Sequence, residues 1–464
     1  MAEAPHSLWA EQAWIDGRWQ ASVLFDIDAH GRWQRITAGV QTPPAHARRL
    51  AGPVLPGLVD AHSHAFQRAF VGLSERRASA SDDFWSWRER MYRVALRITP
   101  AQMRAVAAQL YLELLRGGYT QVCEFHYLHH TPQGQPYDDP ATMCWSLADA
   151  AEHAGIGLTL LPVLYERAGF NRPQLQDDQR RFAGTPEMVM ALAQAVRAGR
   201  RRHVDAGVAI HSLRAASRPA IESLLRQVEP HGMPIHIHVA EQTGEVDDCV
   251  KTTGARPIQY LCDTFAPDAR WQLVHATHAT PREIDAVAHR GAAIVICPAT
   301  EANLGDGLSD LDGWLRAGVP MAIGSDSHVV RNWPEELRWL EYGQRLLHRK
   351  RNVAAAPGRQ DATAARLFDA ALAAGGPAAG QPRWGLVEGA RADALVLDTR
   401  APGLLGIAPG HRLDALVFSG TEPALHEVLV AGAVVLRDGR HPDQAAIGDA
   451  FAQAMQDLWS DEPN

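Results

Sequence analysis

The sequence predicts an α/β fold: a (β/α)8 TIM-like barrel with a small β-sandwich domain built from both chain ends. Three observations predict it. Apolar, β-rich runs alternate with helical stretches from Val54 to about Gly375, the runs number eight, and strand-like segments lie outside them at both ends of the chain. Repeated βα units make a parallel sheet, and eight of them close it into a barrel. A length of 464 residues suits one such barrel with a smaller companion.

In chain order, the first fifty residues read as short strands, with Asp16-Gly17 as a hairpin signal between the apolar flanks Trp14-Ile15 and Arg18-Trp19. The eight runs then fall at residues 54–59, 119–124, 156–165, 206–211, 234–239, 271–275, 292–297 and 319–324. Residues 101–116, 334–347 and 360–374 carry apolar positions at three- and four-residue spacing, the mark of helices with one buried face. Beyond Gly375-Gly376-Pro377 the pattern returns to strands at 392–397, 426–430 and 433–436, and residues 449–459 read as a helix before a polar end. These readings divide the chain into a sandwich domain at 1–53 plus 378–445, a barrel at 54–377, and a C-terminal helix and tail at 446–464.

Composition excludes several functions. At 46% hydrophobic and 21% charged the chain matches ordinary globular proteins, and no apolar run approaches the roughly 20 residues that span a bilayer. The start shows neither a basic nor an apolar leader region, so the cytoplasm is the expected location. Five scattered cysteines without a C-x-x-C pair argue against a disulfide framework or a thiolate metal site. A net charge of −8 without a basic block gives nucleic acid no footprint. Lysine is confined to Lys251 and Lys350, and neither is placed to become a carboxylated lysine bridging two metals.

The chemistry concentrates at strand ends. Residues 55–64 run from an apolar strand into His62-Ser63-His64, and in extended chain the i and i+2 side chains face the same way, so both imidazoles can reach one cation. Three further candidates end later strands: His238, His275 and Asp326. His236 shares the strand face of His238, so either could be the ligand; His238 lies nearer the strand end. In an α/β barrel all these ends converge on one face. A metal held by His62, His64, His238 and Asp326 would lower the pKa of its water towards ~7, and the resulting hydroxide is the expected nucleophile. Zinc is the preferred divalent ion, with iron or manganese as alternatives.

An H-x-H after strand one, histidines after strands five and six and an aspartate after strand eight resemble the amidohydrolase superfamily, over nearly the whole chain. The missing lysine implies its mononuclear, deaminase-like branch, in which Glu241 corresponds to the proton-shuttling residue of an H-x-x-E motif. The resemblance implies that Asp326 takes a proton from the water, that His275 orients the hydroxide and steadies charge on the tetrahedral centre, and that Glu241 passes a proton to the departing nitrogen. Local words at 64–69, 84–89, 124–127, 211–214, 300–307 and 336–342 resemble the members that hydrolyse N-formimidoyl-L-glutamate to N-formyl-L-glutamate and ammonia in histidine degradation. That resemblance implies that Arg88, Tyr127, His211 and Arg214 bind the glutamate portion of a small dicarboxylate substrate and that Gln67 helps hold the formimidoyl end. It also implies a homodimer, and Trp85 and Trp87 are expected in packing roles. Two alternatives remain open: a deaminase or chlorohydrolase of a heteroaromatic ring, and a non-catalytic barrel acting as an assembly partner.

Overall fold

Strands buried along both faces need helices on one side and a filled interior on the other, and this is how the middle of the chain is organised. The computed structural model describes residues 6–75, 84–420 and 424–460. The expectations placed on residues 1–5 and 461–464, and on the side chains of Phe84, Trp85, Ser86 and Glu89, fall outside them.

Eight parallel strands, β1 (Leu58–Ser63), β2 (Tyr119–His126), β3 (Gly157–Leu164), β4 (Val208–Ser212), β5 (Ile235–Val239), β6 (Trp271–His275), β7 (Ala293–Ile296) and β8 (Met321–Ile323), neighbour one another in chain order. The seam between β8 and β1 is short. Ser63 and Asp326 form a parallel bridge in which the Asp326 N–H donates to the His62 carbonyl at 2.9 Å and the His64 N–H to the Asp326 carbonyl at 3.3 Å. Two of the eight sequence runs are broken. Residues 54–59 divide at Gly57, so that Val54–Pro56 joins the other sheet, and residues 206–211 divide at Gly207, leaving Val204–Ala206 as an extra partner of β3.

The helices around the barrel start on a repeated local device. Thr99, Thr185, Ser217, Thr280 and Asn332 each accept a backbone N–H at the N-terminus of a helix whose first turn contains proline. The side-chain oxygen satisfies an otherwise orphaned donor, and proline supplies the helical φ where no N–H is needed. The predicted helices appear as Pro100–Arg116, Trp333–His348 and Thr363–Ala378. No helix among the described residues is long and apolar enough to cross a membrane.

Both chain ends combine in one eight-stranded sheet with its own core, in which Leu8, Phe25, Trp33 and Val54 from the first part meet Ala394, Val396 and Leu429 from the last. Its leading strands are not short: His6–Ile15 and Arg18–Ile27 pair antiparallel over ten residues each. They turn at Asp16 and Gly17 with φ of 50° and 71°, the left-handed pair that a two-residue hairpin requires. Helix Arg412–Phe418, which the sequence reading did not anticipate, buries Leu413, Leu416 and Val417 in the barrel's cluster. The last helix, Gln444–Trp459, starts earlier than expected, and Trp459 donates its indole N–H to the Ala69 carbonyl at 3.0 Å.

Close approach at the seam makes one glycine indispensable. A Cβ on Gly324 would lie 2.7 Å from the His62 Cβ and 2.9 Å from its carbonyl oxygen. Gly324→Ala is therefore expected to lower stability by about 1–3 kcal/mol through overpacking. Gly448→Ala, where a Cβ meets nothing within 4 Å inside the last helix, is expected to be neutral or to stabilise by up to about 1 kcal/mol. Denaturant unfolding of both variants checks the contrast; equal midpoints would refute it.

Candidate metal centre and active-site cleft

The C-terminal strand ends bring the sequence's scattered histidines together. His62 and His64 project from the end of β1 with ring centroids 4.7 Å apart. His238 from β5 places its Nε2 3.0 Å from that of His62, and Asp326 places one carboxylate oxygen 3.5 Å from the Nε2 atoms of both His62 and His64. His236 is used elsewhere, its Nε2 donating to the Ala378 carbonyl at 2.9 Å. Lys251 extends outward beside Asp248, and Lys350 is exposed, so no lysine joins the cluster.

These groups fit a divalent cation. His64 must carry its proton on Nδ1, because that atom lies 2.9 Å from the Phe125 carbonyl, which can only accept; its Nε2 lone pair therefore faces Asp326. Burial lowers the pKa of His62 to about 3 and pushes His64 and His238 below their ordinary value, so all three are neutral donors of lone pairs. Asp326 is held below the usual carboxylate range: burial opposes its charge, but the surrounding histidines outweigh burial. Three imidazoles and one carboxylate form a set that suits zinc chemistry.

Beside this cluster, His275 at the end of β6 faces two carboxylates from one nitrogen. Its Nε2 lies 3.8 Å from a Glu241 oxygen and 3.8 Å from the second Asp326 oxygen, while Nδ1 donates to Glu301 at 3.4 Å. Burial disfavours the imidazolium, but Glu241, Glu301 and Asp326 together raise its pKa to about 10. Burial also raises Glu241 to about 7.

Sequence reasoning missed the carboxylates that hold this arrangement. Glu124 of β2 clasps the turn after β1, accepting from the Ser63 hydroxyl at 2.7 Å and the Ala65 N–H at 2.6 Å. Asp60 of β1 accepts from the Ser325 N–H at 2.8 Å and its hydroxyl at 2.5 Å, which ties β1 to the β8 end. Glu245 accepts from the N–H groups of Ala240 and Glu241 at 3.2 and 3.1 Å, fixing the backbone that carries Glu241. The available signal was acidic residues inside apolar strands, Asp60 and Glu124, whose charge a buried strand would otherwise exclude. The strand ends are also bent: Ala240, His275 and Asp326 have φ of 53°, 68° and 46°, a left-handed backbone that residues with a Cβ adopt at a cost.

A cleft opens over these ends. His64, His238, Glu241, His275 and Asp326 line it together with Arg88, His211, Arg214, Gln67 and Tyr127, and the His211 ring lies 5.2 Å from that of His238. His62 lies fully buried beneath. Trp87 packs against Phe70 with ring centroids 5.4 Å apart and shares the wall. Of the arginines near Arg88, Arg90 turns to the Ser74 carbonyl and Arg93 is exposed. Gln67 donates its amide N–H to the Tyr127 hydroxyl at 3.3 Å, and its buried Oε1 has no partner among the described residues. The Arg214 guanidinium has neither hydrogen bond nor ion pair among the described residues, although Tyr165, Glu245 and Glu241 lie near enough to raise its pKa against burial.

With this geometry in place, comparison with known proteins is informative. The family model described as "Amidohydrolase family" matches residues 54–435. The chain is 45% identical over 453 residues to the formimidoylglutamate deiminase of Pseudomonas aeruginosa, covering 97% of this chain and 99% of that one. It is 26% identical over 386 residues to a 5-methylthioadenosine/S-adenosylhomocysteine deaminase of Natronomonas pharaonis, covering 83% and 81%. Among solved structures, an amidohydrolase from Brucella melitensis superposes with a TM-score of 0.92 at 41% identity over 98% of this chain and 99% of that one. The barrel, the strand-end histidines and this family match agree: the chain belongs to the amidohydrolase family.

Proposed function

We propose that this chain is a formimidoylglutamate deiminase, which hydrolyses N-formimidoyl-L-glutamate to N-formyl-L-glutamate and ammonia. The observation that carries the reading is the juxtaposition in one cleft of the His/Asp cluster and the unpartnered Arg214 guanidinium. Glu245 and Glu241 sustain its charge without hydrogen-bonding to it, so its donors are open to a carboxylate that docks there. The extent of identity to the Pseudomonas aeruginosa deiminase supports the same substrate. A heteroaromatic ring is the weaker reading because it brings no carboxylate for Arg214. Zinc as the ion, the cytoplasm as location, a homodimer as assembly, histidine degradation as pathway and a division of the chain whose first boundary moves from residue 53 to Gly57, because Val54–Pro56 pairs in the sandwich sheet, belong to the same proposal.

The side chains divide the work. A divalent ion held by His62, His64, His238 and Asp326 would lower the pKa of a water from about 15.7 towards about 7 and so supply a nucleophile at neutral pH. Asp326 accepts the water's proton on the oxygen turned to His275. The His275 Nε2–H steadies negative charge as the formimidoyl carbon becomes tetrahedral. Glu241, whose buried carboxyl titrates near neutrality, holds a proton and delivers it to the departing nitrogen. Water adds across the C=N bond, the carbon keeps the oxygen as a formyl group, and the nitrogen leaves as ammonia. Arg88 and Arg214 bind the carboxylates with Tyr127 and His211, and the orphaned Gln67 Oε1 accepts from the formimidoyl N–H.

Ammonia release by the metal-loaded protein is expected with formimidoylglutamate and not with guanine, cytosine or 5-methylthioadenosine; turnover of a ring with none of formimidoylglutamate overturns the assignment. Two substitutions separate the halves of the cleft. Arg214→Met is expected to raise KM by about 10–100-fold, the worth of a hydrogen bond to a charged group, with metal content unchanged. Asp326→Asn is expected to lower metal content below one ion per chain, as measured by elemental analysis, and to abolish turnover. Glu241→Gln keeps the metal and is expected to lower kcat by about 10²–10⁴; an unchanged kcat would remove Glu241 from the chemistry.

A further inference from the structure

Two phenols line the cleft without an assigned role. Tyr92 lies on helix Phe84–Ala95 and Tyr165 just beyond the end of β3, and both are nearly buried. Behind them stands Gln179, on the short helix Asp177–Phe182 and 1% exposed. Its Nε2 donates to the Tyr165 oxygen at 2.9 Å and to the Tyr92 oxygen at 3.3 Å. Its Oε1 accepts the Gln176 N–H at 3.0 Å, so the amide cannot be turned round without setting two N–H groups against each other.

The short helix is itself fixed. Arg181, fully buried, donates to the carbonyls of His130 at 2.7 Å, Ala95 at 2.5 Å and Ile98 at 2.9 Å. The Ala95 contact ties it to the end of the helix that carries Arg88 and Tyr92. Gln179 is therefore a rigid donor. A phenol oxygen that accepts from an amide keeps its own O–H to give away. Gln179 donates to both phenol oxygens, so each phenol has its own O–H left to give, and both residues line the cleft. Burial drives the Tyr165 pKa up, so the phenol holds its proton throughout the working range. The same device recurs across the cleft, where Gln67 donates to Tyr127.

We infer that the Tyr92–Tyr165 pair contacts the substrate, giving a phenolic O–H to one of its carboxylates beside Arg88 and Arg214, and that Gln179 is the positioning residue that sets the pair as donors. The inference rests on the deiminase reading of this cleft and adds to it a second means of recognising the anion. A donor set fixed in this way selects an acceptor, whereas free phenols could serve a donor ligand equally well.

The test compares four variants of the metal-loaded, full-length protein: the Tyr92→Phe/Tyr165→Phe double variant, Tyr165→Phe alone, Gln179→Met and Gln179→Glu. In the double variant KM for formimidoylglutamate is expected to rise at least tenfold with kcat within threefold and metal content unchanged. Gln179→Glu turns the donor into an acceptor that captures the phenolic protons, so its KM should exceed that of Gln179→Met, which only releases them. A purely structural role predicts no such order. Calorimetric binding of N-formyl-L-glutamate, which carries the same two carboxylates, reads the contact independently of turnover. A double variant with KM and binding constant within twofold of the parent overturns the inference, as does equal loss on an N-alkylformamidine lacking carboxylates. Failure of the unsubstituted protein to release ammonia from formimidoylglutamate would instead sink the deiminase reading.

Discussion

The seam between β8 and β1 is the joint on which the molecule depends. A parallel barrel must return from its last strand to its first, and here it does so through the backbone of Asp326 paired with that of His62 and His64. The residues that close the barrel are also the ones whose side chains converge, so closing the barrel brings the candidate metal ligands together. Asp60 and Ser325 reinforce the joint with two hydrogen bonds in the interior. The left-handed φ of Asp326 is sustained because its backbone is held from both sides, the condition under which strained residues persist.

Burial then does electrostatic work. In bulk water the three histidines of the cluster would be partly protonated near neutrality; beneath the cleft they are driven neutral and their lone pairs converge. His275 stands in the same low-dielectric surroundings but is encircled by Glu241, Glu301 and Asp326, and so is pushed the opposite way. Neighbouring imidazoles at strand ends thus take opposite protonation states because of what lies beside them, not because of how deeply they are buried. A cation seated against Asp326 would offset part of that carboxylate's pull on His275.

The extent to which the sequence was legible follows from how far each signal reaches. The H-x-H pair, the strand-end residues His238, His275 and Asp326, and the eight apolar runs are local patterns, and barrel geometry converts them into a site without further information. Breaks at Gly57 and Gly207 were invisible because each apolar run continues across the glycine, and only the partner strand distinguishes the two halves. Glu124 and Asp60 were readable in principle as acids in apolar strands. Gln179 and Arg181 were not: a glutamine and an arginine in a polar loop stretch look solvated until the packing of three distant segments buries them. Contacts made across the fold leave no spacing in the chain.

The two halves of the cleft differ in what they can discriminate. A 5-methylthioadenosine/S-adenosylhomocysteine deaminase is 26% identical to this chain over 386 residues, so the family alone does not fix the substrate. The far half is more exacting. Arg214 has no partner of its own among the described residues, so a neutral ring filling the cleft would displace water from a buried guanidinium without replacing its hydrogen bonds. Sites built to pair a polar group reject a ligand lacking it by roughly 10⁴ or more, far beyond what one added or missing methylene achieves. On the proposed function, the open donors of Arg214 are what favours a dicarboxylate over a neutral ring. Arg181 and Gln179 support this arrangement from behind, since Arg181 ties the short helix to neighbouring carbonyls and Gln179 holds the two phenols that line the same cleft as Arg214.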